Sequence, residues 1–233
     1  MPGEVPEHIW AEHEGRYRFA APYAAGRTIL DVACGSGYGA QLLAESGASR
    51  VAGVDASSEA LALAADRFPH ARLIYVRADA GRLPFAEASF DCATCFETIE
   101  HLTDGRGFLA ELARVLVPGA ILLLSTPNRR IASPWWPLRG RPANPYHCYE
   151  YTRAELQQAI LPWFETLEVW GQRFVSAPWH WLPVYAAVRL TSRLMKSECA
   201  FRVYDLASGP AVAPRASARS EPRYFMLVCR RFT

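Results

Sequence analysis

The residues with the clearest chemical potential form one short run, Asp31-Val32-Ala33-Cys34-Gly35-Ser36-Gly37-Tyr38-Gly39. Glycine adopts positive φ without penalty and lets a ligand approach the backbone closely. A strand that ends in such a loop and leads into a helix places a nucleotide-like ligand at the edge of an open parallel sheet. Asp55 follows 18 residues after Gly37 and ends the next strand-like run. A carboxylate there can accept both ribose hydroxyls of an adenosine. Gly35-x-Gly37-x-x-Ala40 also satisfies the dinucleotide pattern, but Asp31 would repel a pyrophosphate. An acid at that position instead attracts an ammonium or sulfonium.

A second group follows the fourth strand-like run: Phe96-Glu97-Thr98-Ile99-Glu100-His101. If this segment is helical, the spacing puts Glu97, Glu100 and His101 on one face. Two carboxylates and an imidazole at a strand end make a candidate Mg²⁺ or Mn²⁺ site. His147, in the segment Asn144-Pro145-Tyr146-His147-Cys148-Tyr149-Glu150-Tyr151-Thr152-Arg153, is a candidate fourth ligand or a general base. Without a metal, Glu97 and Glu100 would cap a helix or pair with arginines, and His101 would be a buried hydrogen-bonding residue.

The elements that must hold these residues alternate regularly. Strand-like runs occupy residues 28–32, 50–55, 72–77, 90–96, 120–125, 165–170 and 224–230. Helical patterns occupy 38–46, the stretch after Ser57 and Ser58, 107–116, and 152–161 behind a Thr152/Glu155 capping box. The run 120–125 is apolar throughout, as a strand covered on both faces should be. This βα rhythm predicts a Rossmann-like α/β fold: a seven-stranded, mostly parallel sheet with helices on both faces. A small insertion or cap is expected between strands six and seven. The domain reading is an arm over residues 1–27 and one domain over 28–233, with substrate-side insertions at about 127–150 and 172–222.

The 233 residues carry a net charge of +2, and 51% are apolar. That balance argues against a dedicated nucleic-acid or membrane-surface protein. The N-terminus has no signal-peptide pattern, and no apolar run reaches membrane-spanning length. Residues 179–190 come nearest but contain Pro183 and Arg189. The six cysteines have no disulfide spacing, and in a strand Cys92 and Cys95 point to opposite faces. A reduced, cytoplasmic protein is expected. Trp135 and Trp136 read equally as sugar-stacking or packing residues, and Trp170 as packing, while Trp179 and Trp181 fall in an aromatic stretch. Arg129, Arg130, Arg139 and Arg141 form a basic loop able to meet phosphate.

Together these motifs resemble class I S-adenosylmethionine-dependent methyltransferases over about residues 17–126, and more weakly beyond. Ile29-Leu30-Asp31-Val32-Ala33-Cys34-Gly35-Ser36-Gly37-Tyr38-Gly39 is similar to their first motif, and Val54-Asp55 to their second-strand acid. Arg77-Ala78-Asp79-Ala80, Leu83-Pro84-Phe85 and Arg114-Val115-Leu116-Val117-Pro118-Gly119 follow in the family's order. The resemblance implies a cofactor site of Tyr17, Asp31, Ala33, Gly35, Gly37, Asp55, Ala56, Asp79, Ala80 and Phe96. Asp31 and Gly35 would lie near the methionine part, Asp55 at the ribose, and Asp79 with Ala80 at the adenine. The segment around Arg16 and Tyr17 resembles an arm that relatives fold over the cofactor, with reach to the methionine carboxylate. An amphipathic surface helix is the other reading of that arm. Glu97, Glu100, His101 and His147 match the pattern of small-RNA 3′-terminal ribose O-methyltransferases, where the two Glu and two His hold Mg²⁺. Related patterns occur in quinone-biosynthesis and sugar O-methyltransferases. His147 and His101 are the implied catalytic residues. The implied acceptor is a hydroxyl on a saccharide or glycosylated small molecule. Competing readings are a quinone, phenolic or amine metabolite, an RNA 3′ ribose, and a cofactor-binding scaffold without activity.

Overall fold

The structure, a computed structural model, describes residues 7–134, 136, 140–176 and 220–233. The sequence readings for Trp135, Arg139, Trp179, Trp181 and residues 177–219 therefore lie outside the described residues.

The chain opens with α1 (Glu7–Ala20) and then alternates: β1 (Thr28–Val32), α2 (Tyr38–Glu45), β2 (Arg50–Asp55), α3 (Ser58–Arg67) and β3 (Leu73–Arg77). After β4 (Phe90–Phe96) come α4 (Gly105–Val115), β5 (Leu116–Pro127), a single turn α5 (Arg129–Ala132), α6 (Arg153–Ile160), β6 (Phe164–Ser176) and β7 (Ser220–Arg231). The strands form one sheet in the order β3-β2-β1-β4-β5-β7-β6. β1 pairs in parallel with β2 and β4, β2 with β3, and β4 with β5. Only β7 is reversed, lying antiparallel to both β5 and β6. This is the expected seven-stranded, mostly parallel Rossmann-like sheet.

Two apolar layers cover its faces. One includes Leu30, Cys95, Leu122, Leu124, Leu112 and Phe164, and the other Ile29, Leu43, Cys92, Leu123 and Met226. Consecutive residues of one strand thus feed opposite layers, and Cys92 and Cys95 fall on opposite sides as the strand period requires. The five described cysteines are all free thiols. Among the described residues, no helix is long and apolar enough to cross a membrane.

Several boundaries differ from the sequence reading. β6 runs on to Ser176 and β7 begins at Ser220, because the extra residues pair with each other, Phe174 with Pro222 and Ser176 with Ser220. β5 begins at Leu116, where the pairing with β4 shifts register between Phe90 and Cys92. The Thr152/Glu155 capping box is formed, with each side chain bonding the other residue's backbone.

The arm is built into the fold. Glu12, Arg16, Tyr17 and Ala20 of α1 are buried. Glu12 pairs with Arg173 of β6, and its carbonyl accepts the Gln172 side-chain amide at 2.9 Å. Tyr17 lies flat against Gly39 at the start of α2, where an added Cβ would sit 2.0 Å from the tyrosine Cζ. The surface-helix reading of the arm is therefore wrong. Gly39→Ala should unseat Tyr17 and loosen α1, giving faster proteolysis within residues 7–20 and a melting temperature lower by several degrees. Wild-type protease resistance in that variant would show that the contact is dispensable.

Candidate active site

The cofactor motifs line up along the C-terminal edge of β3, β2, β1 and β4, in the order Asp79, Asp55, the glycine loop and Phe96. The loop holds its shape by backbone conformation. Ala33, Gly35 and Gly37 all have positive φ, at 57°, 53° and 86°. At Gly37 a Cβ would meet Tyr75 and Ala64 within 2.6 Å, so only glycine fits. At Gly35 the space is open, which leaves the backbone exposed to a ligand.

Asp55 splints this loop. One carboxylate oxygen accepts the Gly35 N–H at 2.9 Å, and the other accepts the Ser57 N–H at 2.8 Å. Each oxygen keeps a second lone pair for a ribose hydroxyl. Ala56, beside it, is exposed, and its carbonyl accepts from Arg77. Asp79 is exposed and accepts the Gly81 N–H at 2.8 Å, which turns the chain after Ala80.

A cavity of about 270 Å³ lies against the loop. Tyr17, Ala33, Gly35 and Phe96 line it, as the sequence implied, and so do Ile9, Trp10, His13, Tyr38 and Glu97. The sequence reading missed the arm residues Ile9, Trp10 and His13, because only the docking of α1 brings them there. Trp10 stacks on Tyr38 with ring centroids 4.4 Å apart. His13 is kept neutral, pulled down to about 4 chiefly by burial and then by Arg16.

Asp31 is fully buried beneath the loop. Both its oxygens accept from the Tyr17 hydroxyl at 3.1 Å, and Thr94 donates at 2.6 Å. Burial pushes its pKa up to about 7, against the hydrogen bonds from Thr94 and Tyr17 that hold it down. No cation among the described residues pairs with it in the ion-pair geometry. Tyr17 is therefore the partner of Asp31 rather than a free donor. Arg16 is the other arm residue. It is 1% exposed, its Nη2 lies 3.8 Å from Glu97, its guanidinium stands over the Tyr224 ring, and its Nε and Nη1 have no hydrogen-bond partner among the described residues. A buried guanidinium with unused donors calls for an anion.

The second group is brought together only in part. Glu100, His101 and His147 present ligand atoms within 4.8 Å of one another. Glu97 does not join them. It has a positive φ of 51°, so the chain turns before the helical part, a single 3-10 turn at Ile99–His101. Its carboxylate accepts from Ser125 at 2.7 Å and faces Arg16. The expected single helical face is thus broken, and Glu97 lines the cavity against the glycine loop.

Buried Glu100 accepts from Thr126 at 2.9 Å, and burial, then the neighbouring Glu97, hold its carboxyl well above the usual range. His101 Nδ1 lies 2.9 Å from the Tyr146 carbonyl, which can only accept, so Nδ1 carries the proton and Nε2 has a free lone pair. His147 Nδ1 sits 2.7 Å from Glu150 and Nε2 sits 2.8 Å from the Asn144 amide. The two imidazoles meet edge to face at 4.9 Å. Glu150, three residues from His147 in the same sequence motif but given no role there, is fully buried.

Within the basic loop Arg130 and Arg141 are exposed, whereas Arg129 is engaged. Arg129 is bound to Glu155 at 2.6 Å and to the Tyr149 hydroxyl at 3.0 Å. Trp136 stands edge-on to Tyr149 with Arg129 over its ring, a packing role. Trp170 packs on Phe19, as expected.

The sheet order and the loop define a Rossmann-like methyltransferase fold. Residues 30–124, from β1 to β5, match the family model of the methyltransferase domain. A probable S-adenosylmethionine-dependent methyltransferase of Mycolicibacterium smegmatis is 40% identical over 161 residues, covering 69% of this chain and 60% of the relative. A ubiquinone biosynthesis O-methyltransferase of Idiomarina loihiensis is 36% identical over 114 residues, 46% of this chain and 45% of that protein. The match to these curated relatives thus spans less than two thirds of their length. The crystal structure of an S-adenosylmethionine-dependent methyltransferase from Mesorhizobium loti superposes with a TM-score of 0.62 at 20% identity, over 95% of this chain and 98% of that one. That likeness speaks for the fold alone.

Asp31 gives a test with a defined sign. Its folded pKa of about 7 exceeds the ordinary value of 3.8. Between those values the folded chain holds a proton that the unfolded chain has released, so stability falls as pH rises, with the full cost above 7. Asp31→Asn should therefore melt a few degrees higher than wild type at pH 8 and equally at pH 4. The same variant should lose most S-adenosylmethionine affinity. In the wild type, calorimetry should show that affinity weakening, with proton release on binding, as pH drops below 7.

Proposed function

We propose that the chain is an S-adenosylmethionine-dependent methyltransferase that methylates a hydroxyl on a saccharide or glycosylated small molecule. The cofactor half of this reading rests on Asp31, a buried carboxylate with no ion-pair partner among the described residues, under a loop open to a ligand at Gly35. A sulfonium supplies the missing positive charge. Arg16 has unused donors for the methionine carboxylate, Asp55 serves the ribose, Asp79 with Ala80 serves the adenine, and Phe96 walls the cleft.

The acceptor half rests on one observation: two imidazoles with defined tautomers meet beside Glu100 at the end of β4. An alcohol is a weak nucleophile and must lose a proton as it attacks the methyl. The donor set of Glu100, His101 and His147, with His147 backed by a carboxylate and His101 by a carbonyl, fits Mg²⁺ or Mn²⁺. When bound there, such an ion would lower the pKa of the acceptor hydroxyl. Glu150 and the Tyr146 carbonyl orient the two rings, and positioning of the hydroxyl against the methyl does the remaining work. A vicinal diol matches a cluster of this kind, which favours a sugar.

The His147–Glu150 hydrogen bond favours a second reading for the proton. Glu150 fixes Nδ1–H and leaves Nε2 as a base once Asn144 yields. The quinone-pathway relative keeps a phenolic acceptor as the rival substrate. An RNA terminus fits poorly, since Arg129 is committed to Glu155.

Methyl transfer from labelled S-adenosylmethionine to a panel of glycosides and phenols tests the reading. EDTA should abolish turnover, and Mg²⁺ or Mn²⁺ should restore it. Full turnover in EDTA would remove the metal and leave His147 as base. His147→Ala should cost at least about a hundredfold in kcat with S-adenosylmethionine binding intact. Failure to bind S-adenosylmethionine at all would sink the proposal.

A further inference from the structure

A second cavity, of about 540 Å³, shares no lining residue with the one against the glycine loop. It is walled by residues 102–106, by Tyr149 and Tyr151, and by Glu155, Gln158 and Ala159 of the α6 region. Its lining adjoins the paired histidines in sequence: Leu102 follows His101, and Tyr149 lies two residues after His147. The two segments are fastened together, because the Glu100 carbonyl accepts the backbone N–H groups of Cys148 and Tyr149 at 2.7 and 3.1 Å. The size falls within the roughly 300–1,000 Å³ usual for small-molecule sites.

The chemistry of the wall is specific. Tyr149 and Tyr151 meet edge to face at 4.8 Å and give an aromatic surface. Tyr151 is 8% exposed and lines the cavity. Its hydroxyl sits against Gly105, where an added Cβ would fall 2.3 Å from it, so glycine keeps the hydroxyl's place open. The Thr103 hydroxyl, the Gln158 amide and Arg106 add donors and acceptors. Glu155 is paired with Arg129 at 2.6 Å. Asp104 is itself occupied, capping α4 through the Gly107 N–H. With Asp104, Arg106 and Glu155 as its charged residues, the lining holds no net positive charge to draw in a phosphate. An uncharged ring with many hydroxyls would find an apolar face and a dense set of partners.

We propose that this cavity is the acceptor subsite, and that it selects an uncharged glycosyl group over a phosphorylated one, with the Tyr151 hydroxyl as a specificity contact. The inference rests on the methyltransferase reading above, which placed the reacting hydroxyl at the histidines but left the rest of the acceptor unassigned. The sugar's remaining hydroxyls occupy this cavity while one hydroxyl reaches the histidines.

The test uses the full chain with S-adenosylhomocysteine, and two probes: a set of methyl hexopyranosides and glucose 1-phosphate. Saturation-transfer NMR should show at least one methyl glycoside binding, with glucose 1-phosphate about tenfold weaker or silent. Tyr151→Phe should weaken the glycoside about three- to tenfold, the effect of one lost hydrogen bond, with unchanged melting temperature. Gln158→Trp, which fills the cavity from its rim on α6, should abolish the glycoside signal. Both variants should bind S-adenosylhomocysteine as the wild type does. The proposal is overturned if no glycoside binds, if the phosphate binds better, or if binding survives Gln158→Trp. In each of those cases intact S-adenosylhomocysteine binding leaves the methyltransferase reading standing, whereas its loss in the wild type would remove that reading first.

Discussion

The hydrogen bonds that converge on Asp31 hold the active-site half of the molecule together. A fully buried carboxylate is costly, and among the described residues it is offset by two hydroxyls, from Tyr17 and Thr94. Those donors come from the arm and from β4, so one acid at the end of β1 links three separate elements. The arm reaches it only because Gly39 has no side chain. Asp55 performs the neighbouring task, tying the glycine loop to β2 through the Gly35 N–H. The cleft is therefore preorganised by the same acids that would contact the cofactor. This preorganisation lowers stability, because Asp31 remains short of positive charge until a cation arrives.

The cofactor half of the site was legible because its signals are local. A strand, a glycine loop and an acid at the next strand end follow one another in sequence, and the sheet order places them side by side. The alternation of apolar runs likewise yielded the sheet with its parallel core. Strand ends were less legible, since β6 and β7 are extended by pairing with each other, which no local pattern records.

The group of acids and histidines after β4 was legible only in composition. Spacing put Glu97 with Glu100 and His101, but spacing assumes helical backbone. Glu97 instead takes a left-handed conformation that a non-glycine residue seldom signals in advance. Its carboxylate then turns to Ser125 and Arg16, and the two groups of acids separate into two sites. Glu150 stood in plain view three residues from His147, yet its importance lies in being buried against that imidazole, which is a property of packing. Arg129 shows the opposite error: it read as a ligand-facing charge, and the fold uses it to pin α6 to the loop through Glu155.

α1 is more than a cover for the cleft. Ile9, Trp10 and His13 are part of the cavity wall, and Trp10 is closed onto Tyr38. The wall of the cavity and the support of the buried acid are therefore one mechanical unit: a displacement of this helix would open the wall at Trp10 and at the same time withdraw the Tyr17 hydroxyl from Asp31.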